Sequence, residues 1–438
     1  MENSSVADSS AEHASSEAVQ RPNILLITTD QHSAEALGHL GCNDLMTPHM
    51  DRLADRGISF AKSYSANPVC CPARASWFTG RYTPENGVMS NGSKLVPSMP
   101  DLGQWLRQGG YNAYYSGKWH IPGRDVAQSF DYICDHPRNT AETGDIVSTR
   151  SAIGFLENYD EKEPFFLSVG LLNPHDICSF VLTHTMHEGQ MPFPEIDDLP
   201  PLPPNFDIDM TEPEIIRARR NQYMTESGEE SGMEKWEEKL YRYYIWSYYR
   251  YIEKVDGQIG LLLDALKNSA FKDNTVVILS SDHGDGHIRH KMVFKSFLYD
   301  EAARVPFIMS WPGHIEEQVI DREHLVSGVD LFPTVCDYAG ITPPPTMRGY
   351  SLRPLAEGQN PEWRVFVVAH ATGGGTMLRT DRYKLITYEN DPVIQIFDME
   401  ADPWETRNLA ESPDSGSLSR ELQNTLADYE SGFELAEL

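Results

Sequence analysis

The chain has no long apolar run. In 438 residues nothing approaches the ~18 consecutive apolar residues that a membrane-crossing helix needs, so no membrane span is expected. Basic charge is also scarce: 36 Lys and Arg stand against 65 Asp and Glu, a formal net charge of -29. A nucleic-acid-binding surface needs a basic footprint, which excludes nucleic acid as a partner. The acidity favours solubility and names no partner. Cysteine is sparse. Cys42, Cys70, Cys71, Cys134, Cys178 and Cys336 lie at wide, irregular spacing that fits neither a disulfide scaffold nor a zinc ribbon. The adjacent pair Cys70-Cys71 is a poor disulfide candidate on geometric grounds. The N-terminus is rich in Ser, Ala and Glu and lacks the apolar core of an export signal; residues 1–21 read as a disordered tail, and the compartment stays open.

What the chain does have is a series of short apolar runs ending in chemistry-bearing residues. Asn23 to Asp30 reads as a buried parallel strand followed by Gln31. Tyr111 to Ser116 leads to Lys118 and His120, Phe165 to Leu172 leads to His175, and Thr275 to Ser281 leads to Asp282-His283, with His290 and Lys295 beyond. Ligands of open α/β sheets bind at the carboxyl ends of strands. Taken singly, each residue has a plain reading: a cap or turn for Asp30, exposed loop for Lys118 and His120, a satisfied histidine beside a Pro turn for His175. His283 and His287 are four apart, but Gly284 and Gly286 argue against a helical zinc motif.

The stretch Cys70-Cys71-Pro72-Ala73-Arg74, closed by Thr79-Gly80-Arg81, is unusual composition for a plain core helix. It reads as a helix ending at Gly80, with Cys70 near its N-terminal end, where an anion is favoured. Residues 186–221 are dense in Pro, Glu and Asp and read as a long insertion. Residues 234–267 read as a long helix whose aromatic stripe is core packing. From about Arg348 four short strands and a polar helix over 417–438 suggest a smaller antiparallel subdomain.

Together the strand ends assemble a chemistry. Asp30, Gln31, Asp282 and His283 offer three oxygen donors and an imidazole to a divalent cation. The set favours a hard ion such as Ca²⁺, while His283 leaves Mn²⁺ or Zn²⁺ open. Arg74, Lys118, His120, His175, His290 and Lys295 supply the positive donors that suit an anionic tetrahedral group, sulfate or phosphate.

The ordered motifs resemble those of type I, formylglycine-dependent sulfatases of the alkaline phosphatase superfamily, in particular bacterial polysaccharide and glycosaminoglycan sulfatases. The match lies in Cys70-x-Pro72-Ala73-Arg74 with Thr79-Gly80-Arg81, Asp30-Gln31, Gly117-Lys118-Trp119-His120, Asn173-Pro174-His175 and Ser281-Asp282-His283-Gly284 with Lys295. It spans nearly the whole chain. The resemblance implies an α/β fold: a large mixed, mostly parallel sheet sandwiched by helices over 22–347, and a C-terminal antiparallel α+β subdomain over 348–438.

It also implies that a separate enzyme, a formylglycine-generating or anaerobic maturase, oxidises Cys70 to formylglycine. The hydrated aldehyde takes the sulfate through one oxygen and expels it by deprotonation of the other. The metal ligands implied are Asp30, Gln31, Asp282 and His283, with one Ca²⁺. Arg74 steadies the nucleophile, Lys118 and Lys295 bind sulfate oxygens, His120 takes the elimination proton, and His175, or its rival His290, protonates the leaving alcohol. A sulfated saccharide is the implied substrate. Many members carry Asp where Gln31 stands and Asn where His283 stands. That keeps a phosphodiester or phosphonate monoester hydrolase open as an alternative, beside an inactive sugar-binding relative and a zinc hydrolase without formylglycine.

Overall fold

Runs of β-branched and aliphatic residues, too short for helices and bounded by turns, become the strands of one central sheet. The structure, a computed structural model, describes residues 21–135, 140–183, 195–225 and 232–433. Its first ten strands are β1 (Asn23–Asp30), β2 (Ile58–Phe60), β3 (Ser63–Tyr64), β4 (Asn112–Gly117), β5 (Asp131–Asp135), β6 (Phe165–Pro174), β7 (Thr275–Ser281), β8 (Phe307–Ser310), β9 (Val319–Asp321) and β10 (Val326–Ser327). Eight form a sheet in the order β5-β4-β6-β1-β7-β8-β2-β9. Only β8 runs against its neighbours, so the sheet is mixed and mostly parallel, as expected. The run Ile58–Tyr64 is divided between two sheets: β2 stays in the large sheet and β3 pairs with β10.

Alternate residues of β1 serve opposite layers. Leu25 and Ile27 pack with Val277, Leu279 and the aromatic side of the helix Glu238–Asn268. Ile24 and Leu26 pack with Ile278, Phe78 and Phe332 from the helices on the other face. This period-two division is why β1 and β7 are apolar along their whole length. The tail expected over 1–21 lies, up to residue 20, outside the described residues. Arg21 donates to the Gly109 carbonyl at 2.7 Å. Within the insertion expected over 186–221, residues 186–194 lie outside the described residues, and Glu214–Thr225 forms a helix.

The C-terminal strands β11 (Phe366–Ala371), β12 (Gly375–Thr380), β13 (Tyr383–Tyr388) and β14 (Gln395–Asp398) make an antiparallel meander. One face buries Val368, Leu378, Leu385 and Ile396 under Leu422 and Leu426 of the helix Gly416–Glu430. The other packs Met377, Ile386 and Phe397 on Tyr64, Phe297 and Tyr299 of the large layer.

A buried charge cluster sits in that contact. Lys384 Nζ donates to Asp300 Oδ1 at 2.6 Å and to Glu405 Oε1 at 2.7 Å. One ammonium cannot neutralise two carboxylates, and the two respond in opposite directions. Against the effect of burial, Lys384 and Arg304 hold Asp300 down to about 2. Burial, with the charges of Asp300 and Glu301, pushes Glu405 up to about 7 despite Lys384. Folded protein therefore keeps the Glu405 proton where the unfolded chain, with its ordinary value of 4.5, has released it. The stability this contributes is complete below that ordinary value and is lost as pH rises through the folded value. Glu405→Gln is accordingly expected to gain melting temperature relative to the parent chain as pH rises from about 5 to about 8. Parallel Tm-versus-pH curves for the two proteins would refute the assignment.

Candidate active site

Parallel strands bring their carboxyl ends to one edge. Asp30 ends β1, Asp282 and His283 follow β7, Lys118 follows β4, and His175 follows β6. At Gly117 the chain turns with φ 97°, and a Cβ there would lie 2.2 Å from the Gly170 carbonyl oxygen. Glycine is thus required for β4 to pass β6 closely and deliver Lys118. The helix Cys70–Thr79 points its N-terminus at the same place. All ten of its residues are buried, and Gly80 closes it with φ 63° and an N–H bond to Ser76 O.

Cys70, its first residue, sits at the centre. Its Sγ lies 3.0 Å from Lys295 Nζ, 3.2 Å from His283 Nε2 and 3.9 Å from Asp30 Oδ1. Arg74, one turn on, is fully buried. It donates from Nε to Asp282 Oδ2 at 2.9 Å, from Nη2 to Asp30 Oδ2 at 3.4 Å and from Nη1 to the Lys118 carbonyl at 2.9 Å. Lys118 Nζ donates to Asp30 Oδ2 as well.

These charges set the reactivity of the two neighbouring thiols apart. Burial and Asp30 push the Cys70 thiol up, but Lys295, Lys118 and His283 outweigh them and hold it well below the ordinary thiol range. Burial, helped by the charge of Cys70, pushes Cys71 up to about 12; its Sγ faces the Asn91 carbonyl instead. Burial works to raise Asp30, but Lys118, His175 and Lys295 overcome it and hold the carboxyl well below the usual carboxylate range. Burial and the neighbouring Asp30 charge push Asp282 up. His175 shares the site through Cys70, and burial and Lys295 hold its ring below the usual value.

The residues present fit a divalent cation. One donor atom each from Asp30, Cys70, Asp282 and His283 lies within 4.8 Å of the others, and all four residues are buried. The His283 ring nitrogen Nδ1 lies 2.8 Å from the Gly284 carbonyl. A carbonyl only accepts, so in the neutral ring Nδ1 carries the proton and Nε2 presents its lone pair to the cluster. Gln31 Oε1 accepts from Lys295 Nζ at 2.9 Å beside this group.

Two predicted residues are not brought into the cluster. His290 is buried, with Nδ1 2.7 Å from Glu301 Oε1 and Nε2 3.1 Å from the Glu405 carbonyl. With both ring nitrogens committed, it has none to offer a leaving alcohol, which corrects the expectation of a rival acid. His120 is exposed, with φ 58°, beyond buried Trp119. Conversely, Asp285, Tyr244, Tyr248 and Cys178 join the site unforeseen. Asp285 was legible as the second acid in the run Asp282-His283-Gly284-Asp285. The tyrosines belong to the aromatic stripe of the long helix, and Tyr248 Oη donates to the Gln31 carbonyl at 2.8 Å.

A buried thiol at a helix N-terminus, the paired carboxylates Asp30 and Asp282, and the buried or half-buried cations Arg74, Lys118 and Lys295 around them suit the hydrolysis of anionic tetrahedral esters. The family model described as Sulfatase matches residues 22–341, and that of the C-terminal part of N-sulphoglucosamine sulphohydrolase matches residues 289–432. The chain belongs to the sulfatase family. It is 32% identical over 445 residues to the Delta 4,5-hexuronate-2-O-sulfatase of Bacteroides thetaiotaomicron, covering 95% of this chain and 90% of that protein. A solved 2-O glycosaminoglycan sulfatase superposes with TM-score 0.82 at 30% identity, over 94% of this chain and 92% of the other. The phosphonate monoester hydrolase of Agrobacterium radiobacter shares the fold, with TM-score 0.82 at 23% identity over 94% and 96% of the two chains. The architecture is thus the alkaline phosphatase-like one.

Proposed function

We propose that the chain removes a sulfate ester from a saccharide of the glycosaminoglycan or related polysaccharide class, with Cys70 matured to formylglycine by a separate enzyme and Ca²⁺ held by Asp30, Gln31, Asp282 and His283. The observation that carries this reading is Cys70: buried at a helix N-terminus, 3.0 Å from Lys295 and 3.2 Å from His283, and far more acidic than its neighbour Cys71. The relative named for 2-O-desulfation of a hexuronate supports the saccharide class.

A formylglycine hydrate supplies two oxygens on one carbon, one to take the sulfate and one whose deprotonation expels it. A bound Ca²⁺ supplies polarisation of the sulfate oxygens. The remaining work falls to side chains. Arg74 clamps Asp30, Asp282 and the Lys118 backbone, fixing the floor on which the nucleophile stands. Lys118 and Lys295 neutralise the transferring group. His175 protonates the leaving oxygen; the arriving anion offsets Lys295, the charge that otherwise disfavours its imidazolium. The elimination proton that the resemblance assigns to His120 would require this exposed ring to turn in toward Cys70. Residues 22–347 carry this chemistry, and 348–438 form the covering subdomain.

Gln31 and His283 in the ligand set, with the shared fold of a phosphonate monoester hydrolase, favour one second reading: hydrolysis of phosphonate monoesters or phosphodiesters on the same site. A panel of defined sulfated saccharides, paired with phosphonate and phosphodiester analogues, separates the two. Sulfate release is expected from at least one saccharide. Chelation should lower it about 100-fold or more, with recovery on adding Ca²⁺, and the intact mass should show Cys70 carrying an aldehyde. Phosphonate hydrolysis without release of sulfate from any saccharide overturns the proposal.

A further inference from the structure

Gln31 reaches the cluster through an amide, and an amide has two unlike ends. Its carbonyl oxygen is a hard donor to a cation; its NH₂ repels one. Which end faces the cluster is decided by what holds the other end. Gln31 Nε2 donates to Asp285 Oδ2 at 2.6 Å, and Gln31 Oε1 accepts from Lys295 Nζ at 2.9 Å. Cys178 Sγ lies 3.4 Å from both Nε2 and Oε1 and so does not discriminate.

Asp285 is itself fixed as an acceptor. Oδ1 accepts from His287 N at 2.6 Å and Tyr244 Oη at 3.1 Å, and Oδ2 accepts from Phe294 N at 3.2 Å as well as from Gln31. Two backbone N–H groups and a phenol aim their hydrogens at the Asp285 oxygens, so these are held as acceptors and the Gln31 NH₂ is the end that faces them. Gln31 adopts φ 70°, and its carbonyl is gripped by Tyr248 Oη at 2.8 Å. Both its backbone and its amide are therefore held.

We propose that Asp285, through Tyr244 and the backbone N–H groups of His287 and Phe294, is the positioning residue that turns the Gln31 carbonyl toward the cation. This rests on the reading of Gln31 as a cation ligand. Without the Asp285 acceptor, rotation of the amide by half a turn would place its NH₂ against the cation. A carboxylate at position 31 has two equivalent oxygens and needs no orienter. In that background a second carboxylate at 285 would only repel it. The sign of the effect of Asp285 therefore depends on residue 31, which a merely structural role would not produce.

The test is calorimetric titration of Ca²⁺ into metal-stripped protein. Asp285→Asn should raise Kd about 10–100-fold. In the Gln31→Glu background the same substitution should lower Kd, because the amide introduced at position 285 then donates to the carboxylate introduced at position 31, across the original hydrogen bond with its polarity reversed. Equal weakening in both backgrounds overturns the proposal. If Asp285→Asn alone does not hold its fold by circular dichroism, comparing Gln31→Glu with the double variant still gives the sign: a tighter double variant supports the proposal and a weaker one overturns it. Gln31→Ala tests the underlying reading separately. An unchanged Kd there removes Gln31 from the ligand set and the proposal with it, whereas a raised Kd with no effect of Asp285→Asn defeats the positioning role alone.

Discussion

Cys70→Ala is expected to lower sulfate-ester turnover by about 10⁴–10⁶-fold, the range lost when a nucleophile is removed and only binding and charge stabilisation remain. No other described group can take its place at the focus of the cations. The neighbouring thiol of Cys71 points to the Asn91 carbonyl and is pushed up to about 12 by burial and Cys70, so it is neither placed nor ionised to substitute. Cys71→Ala is the matching control, expected to keep its rate within about tenfold. Cys70→Ser is the more informative variant. Serine keeps one oxygen on the attacking carbon and lacks the second that expels the sulfate, so it should turn over at most once and retain a sulfate adduct visible by intact mass. Multiple turnovers by Cys70→Ser, or hydrolysis that survives Cys70→Ala, would defeat the formylglycine reading.

The parts of this site that could be read from the sequence are those that obey short local rules. β1 and β7 announce themselves as apolar runs, and their polar ends deliver Asp30, Asp282 and His283 because parallel strands align. The Cys70 helix is bounded by Gly80. What stayed hidden depends on tertiary contact. Residues near one another in sequence part company: His290, seven residues past His283, turns away to Glu301 and Glu405. The strand β9 has only three residues, and its pairing with β2 joins segments about 260 positions apart. The aromatic stripe of Glu238–Asn268 is core packing, as its spacing predicts, yet Tyr244 and Tyr248 turn their hydroxyls to Asp285 and the Gln31 backbone. Periodicity specifies which face is buried; it does not say that a buried phenol needs a polar partner there.

Arg74→Met is expected to cost metal-free protein about 3–5 kcal/mol, the usual loss when one partner of a buried ion pair is removed. The guanidinium is fully buried and bonded to both cluster carboxylates, Asp282 at 2.9 Å and Asp30 at 3.4 Å. Methionine fills much of the volume beside Trp77 and satisfies neither. Asp30 keeps Lys118 and Lys295 nearby, so the burden falls on Asp282, which Arg74 alone among these cations bonds. A divalent cation at the same carboxylates replaces much of the lost charge. Ca²⁺ should therefore raise the Tm of Arg74→Met by more than it raises that of the parent chain, since stabilisation by a ligand grows as RT ln(1 + [L]/Kd). Activity should not return with stability, because Arg74 also anchors the Lys118 carbonyl at 2.9 Å and no cation supplies that bond. Scanning calorimetry with chelator and with Ca²⁺, on both proteins, reads the difference directly. An equal Tm loss under the two conditions would mean that Arg74 and the cation do not share Asp30 and Asp282.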